Sequence, residues 1–355
     1  MKIAVIGTGN VGVAFAADLS IKGHEVTLLK TSSYKSDAFD RLIKNGKRVF
    51  LKEKSTYIET AIKEVSKDLS KVAEAEVIFC TIQSNFYEGL VERIHQYLHN
   101  DQIVVCISSY ASSFYFEKHC RKLPMLVEAT GPYLEGRVEL NDKPNEVVFR
   151  VGYRHKVIPV ACFSNHDTCM EKLHKISKGF IGKYYVLESA LLNPNMVLHT
   201  VGSIMSIPRI EYSKGNFCMY REAYARGNDS TINLLMRLDE EKMKVLKNLG
   251  FFKTSVFEAG GFNMSAPIES LHRYSESSDR AISPTSVHSR YITEDVSEGL
   301  VLMESIAHHI GLELPVTSSL ITLASVALGI DFRKTGRTIQ RLGIINEIDM
   351  LHECR

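Results

Sequence analysis

Three groups of residues in this 355-residue chain have the types and spacing to do chemistry. The first is Gly7-Thr8-Gly9-Asn10-Val11-Gly12, a GxGxxG run directly after the apolar stretch Ile3 to Ile6. After a strand and at the start of a helix, such a run turns the chain at Gly7. It brings the backbone at Gly9, Asn10 and Val11 close to a pyrophosphate, and it lets the helix pack tightly at Gly12. The helix N-terminus then favours phosphate charge. A purely structural glycine turn has the same spelling; the strand-turn-helix context favours a dinucleotide. The second group is Asn195 and His199, four apart and so on one helix face if Asn193 caps that helix and Pro194 opens it. An imidazole on a rigid helix can serve as general acid and base near neutral pH. The chain has 13 histidines, however, and a surface or satisfied core position explains any one of them more simply. The third group is Arg290-Tyr291-Ile292-Thr293-Glu294-Asp295-Val296. Arg290 can grip a carboxylate in a bidentate pair, and Asp295 can orient an imidazole. A helix capped by Thr293 accounts for Glu294 and Asp295 equally well, because the helix dipole favours acids in the first turn.

The second strand bears on which dinucleotide is bound. A site for NAD ordinarily ends that strand with Asp or Glu, bonded to the ribose 2′-hydroxyl. Here Val26 to Leu29 leads into Lys30-Thr31-Ser32-Ser33, with no carboxylate. Lys30 and the hydroxyls of Thr31 and Ser32 suit a 2′-phosphate, so NADP is expected, with NAD as the alternative. A solvated loop lysine would look the same. Gln83 and Ser84 follow the run Val77 to Cys80, at the end of a strand where α/β sheets bind ligands. They fit a cofactor contact or an ordinary polar turn.

These side chains need elements to position them. Lys2 to Ile6, Glu25 to Leu29, Val77 to Thr81 and Ile103 to Ile107 read as buried strands. Val11 to Ile21 reads as a helix rich in Ala and Leu, and Thr60 to Lys67 and Tyr87 to Leu98 read as amphipathic segments between the strands. That alternation predicts a parallel sheet covered on both faces. Val127 to Thr130, Val147 to Tyr153 and Val157 to Cys162 extend the strand-rich region, which ends near Val186. From Asn193 onward the pattern is mostly helical, with helices expected over Thr231 to Leu249, Gly299 to Ile310 and Thr317 to Gly329. Ser275 to Ser286 reads as a loop. The expected domains are therefore 1–186, α/β, and 187–355, all-α.

Composition mainly excludes. Hydrophobic residues at 45% and charged residues at 24% describe a globular chain able to bury a large core. Lys+Arg 43 against Asp+Glu 41 gives no support to a nucleic-acid or membrane-surface binder. Seven cysteines (Cys80, Cys106, Cys120, Cys162, Cys169, Cys218 and Cys354) include no CxxC pair, so neither a zinc site nor a disulfide framework is expected. A cytoplasmic setting is the natural reading. The start of the chain has no signal-peptide character, and the longest apolar stretch, Ser318 to Ile330, is too short for a bilayer.

Taken together, the two halves resemble the opine dehydrogenase family, the octopine/nopaline dehydrogenases. The resemblance rests on Gly7-x-Gly9-x-x-Gly12, and on Asn195-x-x-x-His199 followed by Thr200-Val201-Gly202. It rests also on Arg290-x-x-x-x-Asp295, and on a tail from Gly311-Leu312-Glu313-Leu314-Pro315 through Gly336-Arg337-Thr338 to Leu342-Gly343. It implies a Rossmann-type domain followed by an all-helical domain, with the active site in the cleft between them. It implies NAD(P)H-dependent condensation of an amino acid's amine with a 2-oxo acid, giving an N-(1-carboxyalkyl) amino acid. His199 would be the general acid/base, Asp295 its partner and Arg290 the holder of a carboxylate, with Asn195 on the nicotinamide side. Glu128-Ala129-Thr130-Gly131-Pro132-Tyr133 through Arg137 resembles a family segment lining the oxo acid pocket, which makes Thr130 a substrate contact, although the Gly131-Pro132 spelling departs from the family pattern. The implied partners are small molecules, with a homodimer left open.

Two other readings compete. Ketopantoate reductases and glycerol-3-phosphate dehydrogenases share the two-domain plan but lean on a catalytic lysine, and none lies near Asn195 or His199 in sequence. A non-catalytic NADP(H) sensor would not need to retain His199, Arg290 and Asp295.

Overall fold

Short runs of β-branched residues that are apolar on both faces must lie in a sheet covered on both sides. The computed structural model, which describes residues 1–34, 36–140, 146–277 and 284–353, divides into Met1–Ser189 and Ala190–Arg355. Cys354 and residues 278–283 of the expected Ser275 to Ser286 loop lie outside the described residues.

In the first unit an eight-stranded sheet runs in the order Phe180–Gly182, Ile158–Cys162, Met125–Ala129, Ile103–Ile107, Val77–Cys80, Lys2–Ile6, Glu25–Leu29, Glu64–Ser66. All neighbours are parallel except Ile158–Cys162 against Met125–Ala129. Every residue of Val77–Cys80, Ile103–Ile107 and Met125–Ala129 is buried, as a central parallel strand requires. The mostly parallel sheet is as the alternating pattern implied, and the Rossmann-type domain as the family resemblance implied.

A second, four-stranded sheet was not anticipated. Its order is Thr56–Ala61, Arg48–Glu53, Val148–Arg154, Leu134–Glu139. Thr60 to Lys67 is thus not an amphipathic helix between strands. It contributes the end of the edge strand Thr56–Ala61 and the strand Glu64–Ser66. The edge strand is almost wholly exposed and carries charge, so its hydrophobic period is too weak to separate strand from helix.

The helix Asn10–Ile21 packs on both sheets, which is why its residues Gly12 to Leu19 are all buried, apolar and polar alike. Asp18 is the exception in chemistry. Its carboxylate, only 4% exposed, takes Lys22 Nζ at 2.8 Å and Arg154 Nη1 at 2.8 Å. Arg154 also pairs with Glu53 at 3.0 Å, so one guanidinium joins the helix to two strands of the second sheet.

The second unit is helical, with no strand among its described residues. Its longest helix, Asp229–Asn248, buries Ile232, Leu235, Leu238, Val245 and Leu246 at helical spacing. Pro315–Leu328 opens on its proline and ends where Gly329 turns left-handed at φ 66°. Ser275 and Glu276 belong to the helix Pro267–Glu276 rather than to a loop. The expected helix from Gly299 proves to be the last part of a longer helical run. Arg290–Thr293 leads through a π-turn at Asp295–Leu300 into Val301–His309.

Replacing Arg154 with Met takes one of the two cationic partners from the buried Asp18 carboxylate and leaves Lys22. Leaving a buried acceptor short of a partner costs about 1–3 kcal/mol. Urea unfolding of Arg154→Met should show a loss of that size at unchanged m-value.

Candidate functional site

The glycine turn separates into two kinds of glycine. Gly7 stands at φ 116°, and a Cβ there would meet Thr81 Oγ1 at 2.7 Å. A Cβ on Gly12 would lie 1.8 Å from the Gly7 carbonyl oxygen. Both are glycine because the protein itself fills the space. Gly9 is different: nothing lies within 4 Å of where its Cβ would be. It is also the N-cap of Asn10–Ile21, so it offers no side chain to the first amides, and no acid stands in that first turn. A 12-residue helix with uncapped amides beside an open glycine is suited to an anion. This fits a dinucleotide pyrophosphate on its own geometry.

The other candidate cofactor residues vary. Asn10's side chain accepts the Val138 N–H at 2.8 Å, tying the turn to the second sheet, so what Asn10 offers a phosphate is its backbone. Val11 is half-buried on the same turn. Lys30 is buried, and its ammonium donates to the carbonyls of Ser32 and Tyr34 and, at 3.3 Å, to Ser32 Oγ. It shapes the loop after the second strand from within. Gln83 is exposed before the turn Ser84–Phe86, whereas Ser84 is buried.

Thr130 donates to the Pro159 carbonyl at 3.3 Å, and its own carbonyl accepts the Ser108 hydroxyl at 3.1 Å. Ser108 begins a loop that the motifs did not reveal. Ser108, Tyr110 and Ala111 all hold positive φ, at 48°, 52° and 64°. Such a conformation costs of order 1 kcal/mol for each non-glycine residue and persists only where its surroundings hold it. Glu128 does the holding: its buried carboxylate accepts the Ser109 hydroxyl at 2.5 Å, the Ser113 N–H at 2.9 Å and the Ser113 hydroxyl at 2.7 Å. The local signal was the serine-rich spelling Ser108-Ser109-Tyr110-Ala111-Ser112-Ser113 at the end of a central strand.

In the helical unit the helix is Asn195–Met205 with Pro194, not Asn193, at its N-cap; Asn193 Oδ1 accepts the Asn195 N–H at 3.1 Å just ahead of it. His199 lies one turn on and is buried. Its Nδ1 is 2.8 Å from Asp295 Oδ2, across 96 residues of chain, and both side chains are almost fully buried. A carboxylate only accepts, so Nδ1 carries the proton and Nε2 is the nitrogen left to exchange one. Asp295 does not sit in a helix's first turn. Thr293 lies inside the helical run and its hydroxyl donates back to the Ser289 carbonyl at 3.1 Å, so Thr293 is not a cap. The helix dipole therefore does not account for Asp295, whereas the imidazole does.

Tyr291 stacks on the His199 ring at 3.7 Å between centroids and 6° between planes, and Tyr220 meets it edge-on at 6.2 Å. Tyr291 and Asp295 are four apart, and that helical spacing was a readable sign that both face one partner. Arg290 is half-exposed and lies 3.6 Å from the Glu294 carboxylate. Burial holds the His199 ring below its ordinary proton affinity; the bond to Asp295 works against that, and the Arg290 charge adds to it. No group of three or more metal-ligating side chains occurs among the described residues. No single described helix is long and apolar enough to cross a membrane.

Comparison with known proteins matches residues 184–328 to the family described as NAD/NADP octopine/nopaline dehydrogenase, alpha-helical domain. Residues 2–109 match the family described as NAD-dependent glycerol-3-phosphate dehydrogenase N-terminus. The chain is 24% identical to an opine dehydrogenase of Arthrobacter sp. (strain 1C), over 96% of this chain and 94% of that one. Its fold is similar to octopine dehydrogenase with NADH and L-arginine, at TM-score 0.77 and 16% identity over 99% and 98% of the two chains. It is also similar to yersinopine dehydrogenase with NADP+ bound, at TM-score 0.71 and 10% identity over 100% and 99%.

The two kinds of glycine predict opposite outcomes. Gly12→Ala should lose about 1–3 kcal/mol of stability through overpacking. Gly9→Ala should keep wild-type stability within about 0.5 kcal/mol. It should nevertheless weaken dinucleotide binding about tenfold or more, measured by calorimetric titration beside thermal melts.

Proposed function

Because this chain belongs to the opine dehydrogenase family of NAD(P)-dependent oxidoreductases, we propose that it joins an amino acid to a 2-oxo acid by reductive condensation, and runs the reverse reaction. The amine adds to the oxo carbon, and loss of water gives an imine. Reduction of the imine carbon then leaves an N-(1-carboxyalkyl) amino acid. The bound dinucleotide supplies the hydride.

The observation that carries this reading is the buried His199–Asp295 pair at 2.8 Å. Asp295 fixes the imidazole tautomer and stabilises its protonated form. His199 Nε2 delivers a proton to the oxygen that leaves as water, and takes one back in the reverse direction. Two carboxylate substrates call for a fixed cation, and Arg290 is the one we assign to an oxo acid or product carboxylate. Thr130, beside the strained Ser108 loop, is assigned to the oxo acid, and Asn195 to the nicotinamide side. Gly7, Gly9, Asn10, Val11 and Gly12 take the pyrophosphate, and Gln83 a ribose. With no carboxylate after Glu25–Leu29, we assign the 2′-phosphate of NADP to Ser32 and the loop that Lys30 braces. The working location we propose is the cytoplasm, and sedimentation of the purified chain separates a single chain from the homodimer.

A matrix assay tests the reaction. NADPH and NADH oxidation is followed against amino acids crossed with pyruvate, 2-oxoglutarate and other oxo acids. Oxidation that requires both an amine and an oxo acid is the expected result. Oxidation with an oxo acid alone would mark a ketopantoate-reductase-like enzyme instead. His199→Ala should lose about 10²–10⁴-fold in turnover while dinucleotide affinity survives. Reduction uses the imidazolium, so its kcat/KM should fall as pH rises through a His199 proton affinity below the ordinary value. Asp295→Asn removes the contribution that raises this affinity and should move that limb to still lower pH.

A further inference from the structure

Asp295 opens a π-turn, and a π-turn inside an α-helix needs something to hold it. The segment that meets this turn comes from the far end of the chain. The Arg337 N–H donates to the Ser297 carbonyl at 2.8 Å. Gly336 lies so close that a Cβ there would stand 2.5 Å from the same oxygen, and 2.5 Å from the Phe332 carbonyl. Arg337 Nη2 pairs with Glu298 Oε2 at 2.7 Å, and the arginine side chain is wholly buried. Ser297 Oγ lies 2.6 Å from the Thr293 carbonyl and 2.9 Å from Glu298 Oε1, which ties the turn to the helix before it.

We propose that Arg337, admitted by Gly336, is a positioning residue that locks the Asp295–Leu300 π-turn and so aims Asp295 at His199. It touches neither member of the pair's hydrogen bond. It acts through Glu298 and the Ser297 carbonyl, three and two residues beyond Asp295. In an α-turn, residues three apart share a face. Here Asp295 reaches the helix Asn195–Met205 and Glu298 reaches Arg337, so one six-residue turn serves two partners from different elements. A buried guanidinium is an expensive way to fill space, because the desolvation of a buried ion pair can exceed its attraction. Its value here is directional: a fork with its own amide beside it sets the register of the turn, which an apolar side chain of equal volume would not do.

The inference rests on the acid/base reading of His199 and Asp295. The charged groups acting on the His199 ring are Asp295 and Arg290, with Tyr291 and Tyr220 packed against it. Charges on the adjoining helices are satisfied elsewhere: Asp239 with Lys242, Glu241 with the first amides of Pro315–Leu328, and Glu222 with Arg209.

The test follows the His199 ring titration by NMR, which needs no substrate, and turnover on the best amine and oxo acid pair. The variants are Arg337→Met, Arg337→Lys, Gly336→Ala and Asp295→Asn, with Arg333→Met as a control that breaks the Arg333–Glu304 pair elsewhere in the same unit. Arg337→Met should move the His199 titration to lower pH, in the same direction as Asp295→Asn, and lower turnover about tenfold or more. Arg337→Lys should recover part of both. The double variant Arg337→Met/Asp295→Asn should be within about twofold of Asp295→Asn alone, since both remove one interaction. Arg333→Met should lower the melting temperature and leave the titration in place. If Arg337→Met does not fold, Gly336→Ala carries the same two readouts, because its methyl group presses on the Ser297 carbonyl. An Arg337 or Gly336 variant that melts earlier, keeps the wild-type titration and combines multiplicatively with Asp295→Asn overturns the inference. If Asp295→Asn itself keeps full turnover, the acid/base reading fails first and the inference goes with it.

Discussion

The His199 imidazole and the Asp295 carboxylate, buried together at 2.8 Å, set the terms for the helical unit. Burial alone would deprive the carboxylate of water and hold the imidazole deprotonated. Each therefore depends on the other staying within hydrogen-bond reach. That is a demand on backbone, not only on side chains. The helix Asn195–Met205 and the run from Arg290 to His309 must keep a fixed separation and a fixed rotation. Tyr291 stacked flat on the ring removes its freedom to rotate, and Tyr224 donates to the Leu198 carbonyl beside it at 2.5 Å. The π-turn opens at Asp295, and its neighbours from the end of the chain hold that irregularity.

The same logic of buried polar groups held by distant partners runs through both units. Glu128 binds a serine loop that three positive-φ residues would otherwise relax. Asp18 sits in the middle of an otherwise apolar helix because Arg154 reaches it from the second sheet. Glu241 receives the first amides of Pro315–Leu328, where Leu314 at the N-cap offers no side-chain acceptor. In each case the cost of removing a charge from water is met by several hydrogen bonds at once, which is the condition under which buried polar groups add definition to a fold. The glycine turn is the counterpart. Gly7 and Gly12 are fixed by the protein's own packing, and Gly9 alone leaves space beside uncapped amides.

Much of this was legible in the residues in order along the chain. The strands Lys2–Ile6, Val77–Cys80 and Ile103–Ile107 declare themselves as apolar runs, and GxGxxG declares the turn, because period and glycine placement are local properties. The second sheet was not legible. Its strands are half-exposed and charged, and Arg48–Glu53 finds Val148–Arg154 across about a hundred residues of chain. The Thr293 cap was a misreading of the same origin: a hydroxyl followed by two acids spells a helix start, but the helix had already begun after Ser289.

The chain by itself thus determined the class of each half, the place of the glycine turn and the residue types available for acid/base chemistry, since each depends on neighbours within a few positions. Only the tertiary structure decided which of the 13 histidines has a buried carboxylate beside it and which carboxylate that is. It also decided that Arg337 faces Glu298, and that Gly9 is open while Gly12 is closed. These are meetings between residues tens to hundreds of positions apart, or volumes enclosed by several elements, and no local spacing encodes a distance in space.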